Sequence, residues 1–326
     1  MKKFSLALGC ISLFLLSSCI LDDEVSCETK FQVIFDYNIL ESDALTKQVD
    51  KVDLYLFNED KELAYSYNQT INPNDNACII NTTDIIPGHY YAVATGQSHR
   101  IEGEGHNFIV SDMTFKPSTL DQLTARLPLE ENRTSSKEIN NFLIGESDLM
   151  EINTLSSHII PIKKVTNKIR IVLLDKDADI KDDYELALHE KGGNGWINYN
   201  YHTIPDKPIT YLPYLHQIET LTNTDNGGEE YKEAFVAEFS SSKLIATHPT
   251  ILEIKEPNSS EVLAEIDILS LLELGMIAEY DEKWGFQEYL DRKDNFVISL
   301  FFEDSTWLSA TVIVNGWLVS TDHIDL

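Results

Sequence analysis

The stretch KVDLYLFNEDKELAYSY, residues 51–67, alternates Val52, Leu54 and Leu56 with Lys51, Asp53 and Tyr55. Alternation of period two places every second side chain on one face of an extended chain, so this segment reads as a strand with a buried face. Asn58 to Lys61 then supplies turn-forming residues and the chain returns through Leu63, which predicts a β-hairpin.

The same period recurs on either side. KFQVIFDYN (30–38) sets Phe31, Val33, Phe35 and Tyr37 against Gln32, Ile34 and Asp36, and DIIPGHYYAVATG (84–96) places a Pro87-Gly88 turn before a strand from His89 to Thr95. A second round begins near Ser157. NKIRIVLLD (167–175) lines up Ile169, Ile171 and Leu173, and DYELALHE (183–190) lines up Tyr184, Leu186 and Leu188. AFVAEFS (234–240), PTILEIKE (249–256) and FVISLFFE (296–303) are further strands. Near the end Ala310, Val312 and Val314 alternate before a tight turn at Asn315-Gly316. Residues 117–150 read as helical and loop-like, with TLDQLTARL (119–127) a helix capped by Thr119; DILSLLELGM (267–276) is a second short helix. Residues 192–214 show no period, and 222–230 are a loop by composition. Short strands in two successive, turn-separated sets predict an all-β chain with a few short helices, folded as two tandem β-sandwiches over residues 30–157 and 158–326.

Ahead of the first strand stands a different signal. Met1-Lys2-Lys3 is a basic head, Phe4 to Leu16 an apolar run, and Ser17-Ser18 a pair of small residues before Cys19. This is the pattern of a secretory signal peptide, residues 1–18, and the run is short of the roughly 20 residues a membrane-spanning helix needs. Leu16-Ser17-Ser18-Cys19 resembles a bacterial lipobox, which implies cleavage between Ser18 and Cys19 and acylation of Cys19. Residues 19–29 are then a lipidated acidic tether. Its Asp22-Asp23-Glu24 cluster resembles the export signal of Bacteroidota surface lipoproteins, and so implies the outer leaflet of the outer membrane.

The formal charge of −29 becomes −31 once Lys2 and Lys3 leave with the signal. A body this acidic repels phosphate and argues against nucleic acid as a partner, and against membrane binding through protein charge. Cys10 leaves with the signal and Cys19 takes lipid, so Cys27 and Cys78 remain; they are compatible with a disulfide formed in the oxidising periplasm or with two buried thiols.

Catalytic patterns are missing from the sequence: no G-x-S-x-G, phosphate loop, dinucleotide fingerprint or H-E-x-x-H occurs. His99 and His106 flank a glycine-rich stretch that offers no metal-ligand spacing. Asp175, Asp177 and Asp179 begin like a calcium loop, yet Ile180 and Leu186 stand where glycine and glutamate are required, so neither a metal nor another cofactor is expected. Trp196, Trp284, Trp307 and Trp317 are core or edge residues of a sandwich, or else sugar-stacking platforms.

Several segments together resemble the FimB-like anchor and assembly lipoproteins of Bacteroidota fimbriae, the minor-fimbria anchor family. They are the lipobox at Cys19, FQVIFDYN, VDKVDLYLFNEDKEL, IIPGHYYAVATG, VTNKIRIVLLD and the closing TVIVNGWLVSTDHIDL. The resemblance implies two transthyretin-like β-sandwiches, no catalysis, and a lipid-held protein at the base of a surface filament that meets fimbrillin subunits by β-strand addition. Stalk fimbrillins of this kind lose their first strand and lipid to a protease that cuts after a basic residue. Here no arginine precedes Arg100, although Lys30, Lys47, Lys51 and Lys61 are present, which fits an uncut anchor. The closing segment Thr311, Val312, Ile313, Val314, Asn315, Gly316, Trp317, Leu318, Val319 is the candidate subunit-contact strand. A surface glycan-binding lipoprotein, and a stalk or tip adhesin of the same fold, are the competing readings.

Overall fold

The computed structural model describes residues 28–99, 105–113, 118–153, 155–175, 184–220, 233–256, 262–280, 283–302 and 312–320. Strands predominate and form several sheets; the longest described helix is Ile268–Tyr280.

The hairpin read from residues 51–67 is present as Lys51–Phe57 and Leu63–Thr70, in antiparallel register with Val52 opposite Gln69. Its turn places Lys61 at φ 61°, in the left-handed region. The hairpin belongs to a six-stranded sheet in the order Lys163–Lys164, Phe142–Glu146, Gly88–Gln97, Lys51–Phe57, Leu63–Thr70, with Met150–Ile152 also paired to Gly88–Gln97. A three-stranded sheet, Ser157–Pro161, Thr29–Ile34 and Cys78–Thr82, packs on one face. Phe31, Val33 and Ile160 from the smaller sheet meet Val52, Leu54 and Ala92 from the larger in a closed apolar core.

The other face of the six-stranded sheet is buried too along Gly88–Gln97 and Phe142–Glu146. Phe57, Val93, Phe142 and Ile144 point away from that core and join a larger one, shared with Ile169, Ile171 and Phe235 of the second half. Burial on both faces explains why Gly88–Gln97 carries an almost unbroken apolar run instead of alternation.

The second half has a six-stranded sheet in the order Leu215–Thr220, Glu233–Ser241, Asn167–Asp175, Asn295–Phe302, Val312–Val314, Trp317–Ser320. A five-stranded sheet accompanies it, built from Val262–Asp267, Thr250–Lys255, Glu185–Glu190, Ile209–Tyr211 and Thr134–Ser135. Thr134–Ser135 comes from the first half of the chain, and so does Thr124–Arg126, which pairs with Trp196–Asn198. The halves are therefore joined by shared ladders as well as by a shared core.

A buried polar cluster seals the same junction. Lys164 pairs with Asp294 and donates to Gln48 Oε1 at 3.0 Å, while the Tyr201 hydroxyl donates to the Lys164 carbonyl at 2.8 Å. Lys243 lies 3.5 Å from the centre of the Tyr201 ring and 3.4 Å from Asp291. Burial lowers the Lys243 pKa, and Asp291 opposes that shift by favouring the charged form.

Three sequence readings change. Residues 117–150, read as helical and loop-like, supply the strands Thr124–Arg126, Phe142–Glu146 and Met150–Ile152. The helix expected over 119–127 is one 3-10 turn, Leu120–Gln122, in which the Thr119 N–H donates to Gln122 Oε1 at 3.0 Å; the next residues leave it to pair with Trp196–Asn198. Residues 192–214, without a period, hold two three-residue strands, Trp196–Asn198 and Ile209–Tyr211, too short for alternation to register. By contrast, the helix read at 267–276 is present and runs on to Tyr280.

The chain passes from the three-stranded to the six-stranded sheet at Pro161-Ile162, directly over Gly145. A Cβ at Gly145 would stand 2.3 Å from the Pro161 carbonyl oxygen and 2.9 Å from Ile162 Cα, both backbone atoms that cannot swing aside. Gly145→Ala is expected to lower stability by about 1–3 kcal/mol in denaturant unfolding; a variant as stable as the parent would contradict this crossing.

Candidate functional site

Two places carry the features singled out in the sequence: the seat of the first strand and the C-terminal edge of the second large sheet. Cys19, Ser18, Asp22, Asp23, Glu24 and Cys27 lie outside the described residues, which resume at Glu28, nine positions beyond Cys19.

The first strand, Thr29–Ile34, is the centre of its sheet. It runs parallel to Ser157–Pro161, with Val33 opposite Ile160, and antiparallel to Cys78–Thr82, with Val33 also opposite Cys78. Both rows of its backbone groups are thus engaged. Phe31 and Val33 are fully buried and Phe35 nearly so, and the Phe31 ring stacks on His158 with centroids 5.7 Å apart. Each such side chain contributes about 1.5–3 kcal/mol of apolar burial. Tyr37, just beyond the strand, lies beneath the Arg292 guanidinium at 4.0 Å and the Lys163 ammonium at 4.2 Å, which ties the strand's exit to the second half.

Cys78 holds a free, buried thiol beside this strand. Burial, reinforced by Asp43 and Asp75, pushes its pKa up to about 12, so it is neutral and unreactive at physiological pH. Val33 stands opposite Cys78 and Thr29 opposite Thr82.

The closing segment read as one strand, Thr311–Val319, is a hairpin over its described residues. Val312–Val314 pairs with Asn295–Phe302, and Trp317–Ser320 pairs back onto it as the sheet edge; Thr311 lies outside the described residues. Asn315 and Gly316 take φ of 51° and 88°, the left-handed pair that a two-residue hairpin turn demands. The Asn315 N–H donates to the Val297 carbonyl at 2.8 Å, and Asn315 Oδ1 accepts from the Val297 N–H at 3.0 Å. Asn315 Nδ2 donates to the Tyr289 hydroxyl at 3.1 Å, in the helix Phe286–Arg292. Val314 is buried against Gly275 of the helix Ile268–Tyr280, where a Cβ would come within 2.7 Å of a Val314 methyl. The hairpin therefore completes its own sheet and is clamped to both helices.

The opposite edge of that sheet, Leu215–Thr220, was missed by sequence reading, because LHQIET has neither a clean period nor β-branched enrichment. It is held from within by Arg170, which donates to Glu219 and Glu238 at 2.7 Å each, spanning three strands. Among the described residues neither Leu215–Thr220 nor Trp317–Ser320 has a partner on its outer side, and an edge strand of this kind leaves one row of backbone groups open for a further strand.

Among the described residues no group of three His, Cys, Asp or Glu converges as a metal site. His99 Nδ1 lies 2.9 Å from Asp50 Oδ1, and the His106 backbone N–H donates to the Glu138 carbonyl at 2.8 Å. Asp177 and Asp179 are outside the described residues. Of the tryptophans, Trp284 is buried beside Tyr280 and Trp196 is 38% exposed; Trp307 lies outside the described residues.

A structure of a proposed adhesin from Bacteroides thetaiotaomicron superposes with a TM-score of 0.77 at 21% identity, over 90% of this chain and 97% of its own. A second from the same organism, described as a proposed polysaccharide-binding protein, gives 0.72 at 21% identity over 90% and 97%. The fimbrial anchor protein Mfa2 from Porphyromonas gingivalis gives 0.64 at 14% identity over 90% and 99%. At these identities the likeness is one of fold. No curated protein sequence matches. The model of the family described as fimbrillin-A associated anchor proteins Mfa1 and Mfa2 matches residues 17–323, nearly the entire length, and this chain belongs to that family.

Proposed function

We propose that this chain is a non-catalytic outer-membrane lipoprotein that fixes a surface fimbria to the cell and terminates it there. In this reading residues 1–18 are removed, Cys19 is acylated, and Asp22, Asp23 and Glu24 direct the protein to the cell surface. The body forms two tandem transthyretin-like units and meets the adjacent fimbrillin by β-strand addition; the division lies after Lys164 and not at 157–158, because Ser157–Pro161 and Lys163–Lys164 pair with strands of the first unit.

The observation that carries the proposal is the seat of the first strand. A polymerising subunit that exposes an acceptor groove must give up a strand; this strand is central, laddered on both sides and anchored by Phe31 and Val33. The absence of arginine before Arg100 removes one class of cleavage from the same segment. A retained strand keeps the body joined through the tether to Cys19, which is what an anchor requires. The open edges at Leu215–Thr220 and Trp317–Ser320 are the surfaces offered to the neighbouring subunit. Of the two tryptophans with described side chains, Trp196 offers a partly exposed ring and Trp284 is buried.

Replacing Cys19 with alanine is expected to shed intact filaments into the medium while their assembly continues; filaments that stay attached would sink the proposal. Phe31→Ala is expected to cost about 3–5 kcal/mol of stability, read from denaturant unfolding, because it empties the centre of the strand's seat. A loss below about 1 kcal/mol would show that the strand is dispensable to the fold.

A further inference from the structure

We infer that the end of the molecule from which the tether emerges is itself a membrane-contact surface, inserting Leu155 and Ile86 into the lipid interface. This rests on the lipid-anchored reading and adds an orientation to it.

Both residues sit on connections that cross between sheets at the end where the first strand begins. The turn before Ser157 joins Ile152, opposite Gly88, to the strand whose start lies beside Lys30. The turn 83–87 joins Thr82, opposite Thr29, to Gly88. The Thr29 hydroxyl donates to the Asn153 carbonyl at 3.3 Å, and the Lys30 N–H to the Ser156 carbonyl at 2.9 Å. The tether thus leaves the body between these two turns.

Leu155 is 58% exposed and Ile86 69% exposed. Leu155 also takes φ 77°, a left-handed conformation that a leucine adopts only at a cost of order 1 kcal/mol. Strain at a buried residue is repaid by packing, as at Tyr201, whose hydroxyl reaches into the polar junction. At Leu155 the strained backbone directs an apolar side chain outward. The backbone of Ile86 is pinned on both sides: its N–H donates to the Tyr65 hydroxyl at 3.0 Å, and its carbonyl accepts from the Tyr90 hydroxyl at 2.8 Å. Its side chain is therefore presented on a fixed support.

The occupant follows from the length of the tether. Eight residues lie between Cys19 and Glu28, so nine residue steps give a reach of at most about 30 Å when fully extended. Two aliphatic side chains alone bind a bilayer weakly, but a lipid on Cys19 makes the contact intramolecular, at an effective concentration in roughly the millimolar range. Glu28, Asp84 and Glu151 outnumber the one lysine at this end, Lys30, so net charge does not draw it to anionic lipid and apolar insertion carries the contact.

The test uses the full lipidated chain on phosphatidylethanolamine–phosphatidylcholine vesicles. In a Cys27→Ser background, Leu155→Cys carries an environment-sensitive nitrobenzoxadiazole label; Cys19 is acylated and Cys78 is buried as a neutral thiol, so neither competes. Val262→Cys, exposed on a sheet of the second half, is the reference. The label at 155 is expected to shift to the blue and lose most of its emission to doxyl-labelled lipid, while that at 262 does neither. Protein that floats with the vesicles but leaves position 155 unquenched overturns the inference and keeps the lipid anchor. Protein that does not float overturns both.

Discussion

Hydrogen bonding of Thr29–Ile34 to a strand on either side is the constraint on which the molecule depends. The parallel partner, Ser157–Pro161, arrives only after five of the six strands of the larger sheet, with Lys163–Lys164 still to come, and the antiparallel partner, Cys78–Thr82, lies between that sheet's strands in sequence. Withdrawing the central strand would separate these partners, leave two rows of backbone groups unmatched and open the pockets of Phe31 and Val33 to water. A pull along the strand would cross the antiparallel ladder bonds at right angles and the parallel ones at a slant, loading both rows together.

From that strand the mechanical connection continues without a break. The six-stranded sheet beneath it is buried on both faces at Gly88–Gln97 and Phe142–Glu146, and there its far face shares a core with the second half. Strands borrowed across the midpoint, the cations over Tyr37 and the Lys164–Asp294 pair add directional links. The second large sheet then ends in a hairpin seated on Gly275 and Tyr289, at the opposite end of the sequence from the first strand. In the account advanced here the chain transmits load between a lipid and a fibre, and its energetics serve cohesion instead of chemistry.

Much of this was legible in the residues wherever one face of a strand is buried and the other wet. Val52, Leu54 and Leu56, or Ile169, Ile171 and Leu173, announce their strands because solvent enforces the alternation. The Asn315-Gly316 turn was legible for the separate reason that its backbone angles exclude most other residues. The strands at 124–126 and 196–198 were not legible. Each is three residues long, and each exists because a partner some seventy positions away supplies the ladder, which local pattern cannot report. The candidate site divides in the same way. The lipobox is a local signal, whereas the open edge at Leu215–Thr220 and the strained Leu155 emerge only from topology and backbone geometry.

The central claim is that the first strand and the lipid stay on the same polypeptide. Mass spectrometry of the protein recovered with fimbriae from the outer membrane tests it directly. The account predicts a chain beginning at an acylated Cys19 and continuing unbroken through Thr29–Ile34. A chain beginning after Lys30, Lys47 or Lys61, or an unmodified Cys19, would contradict it.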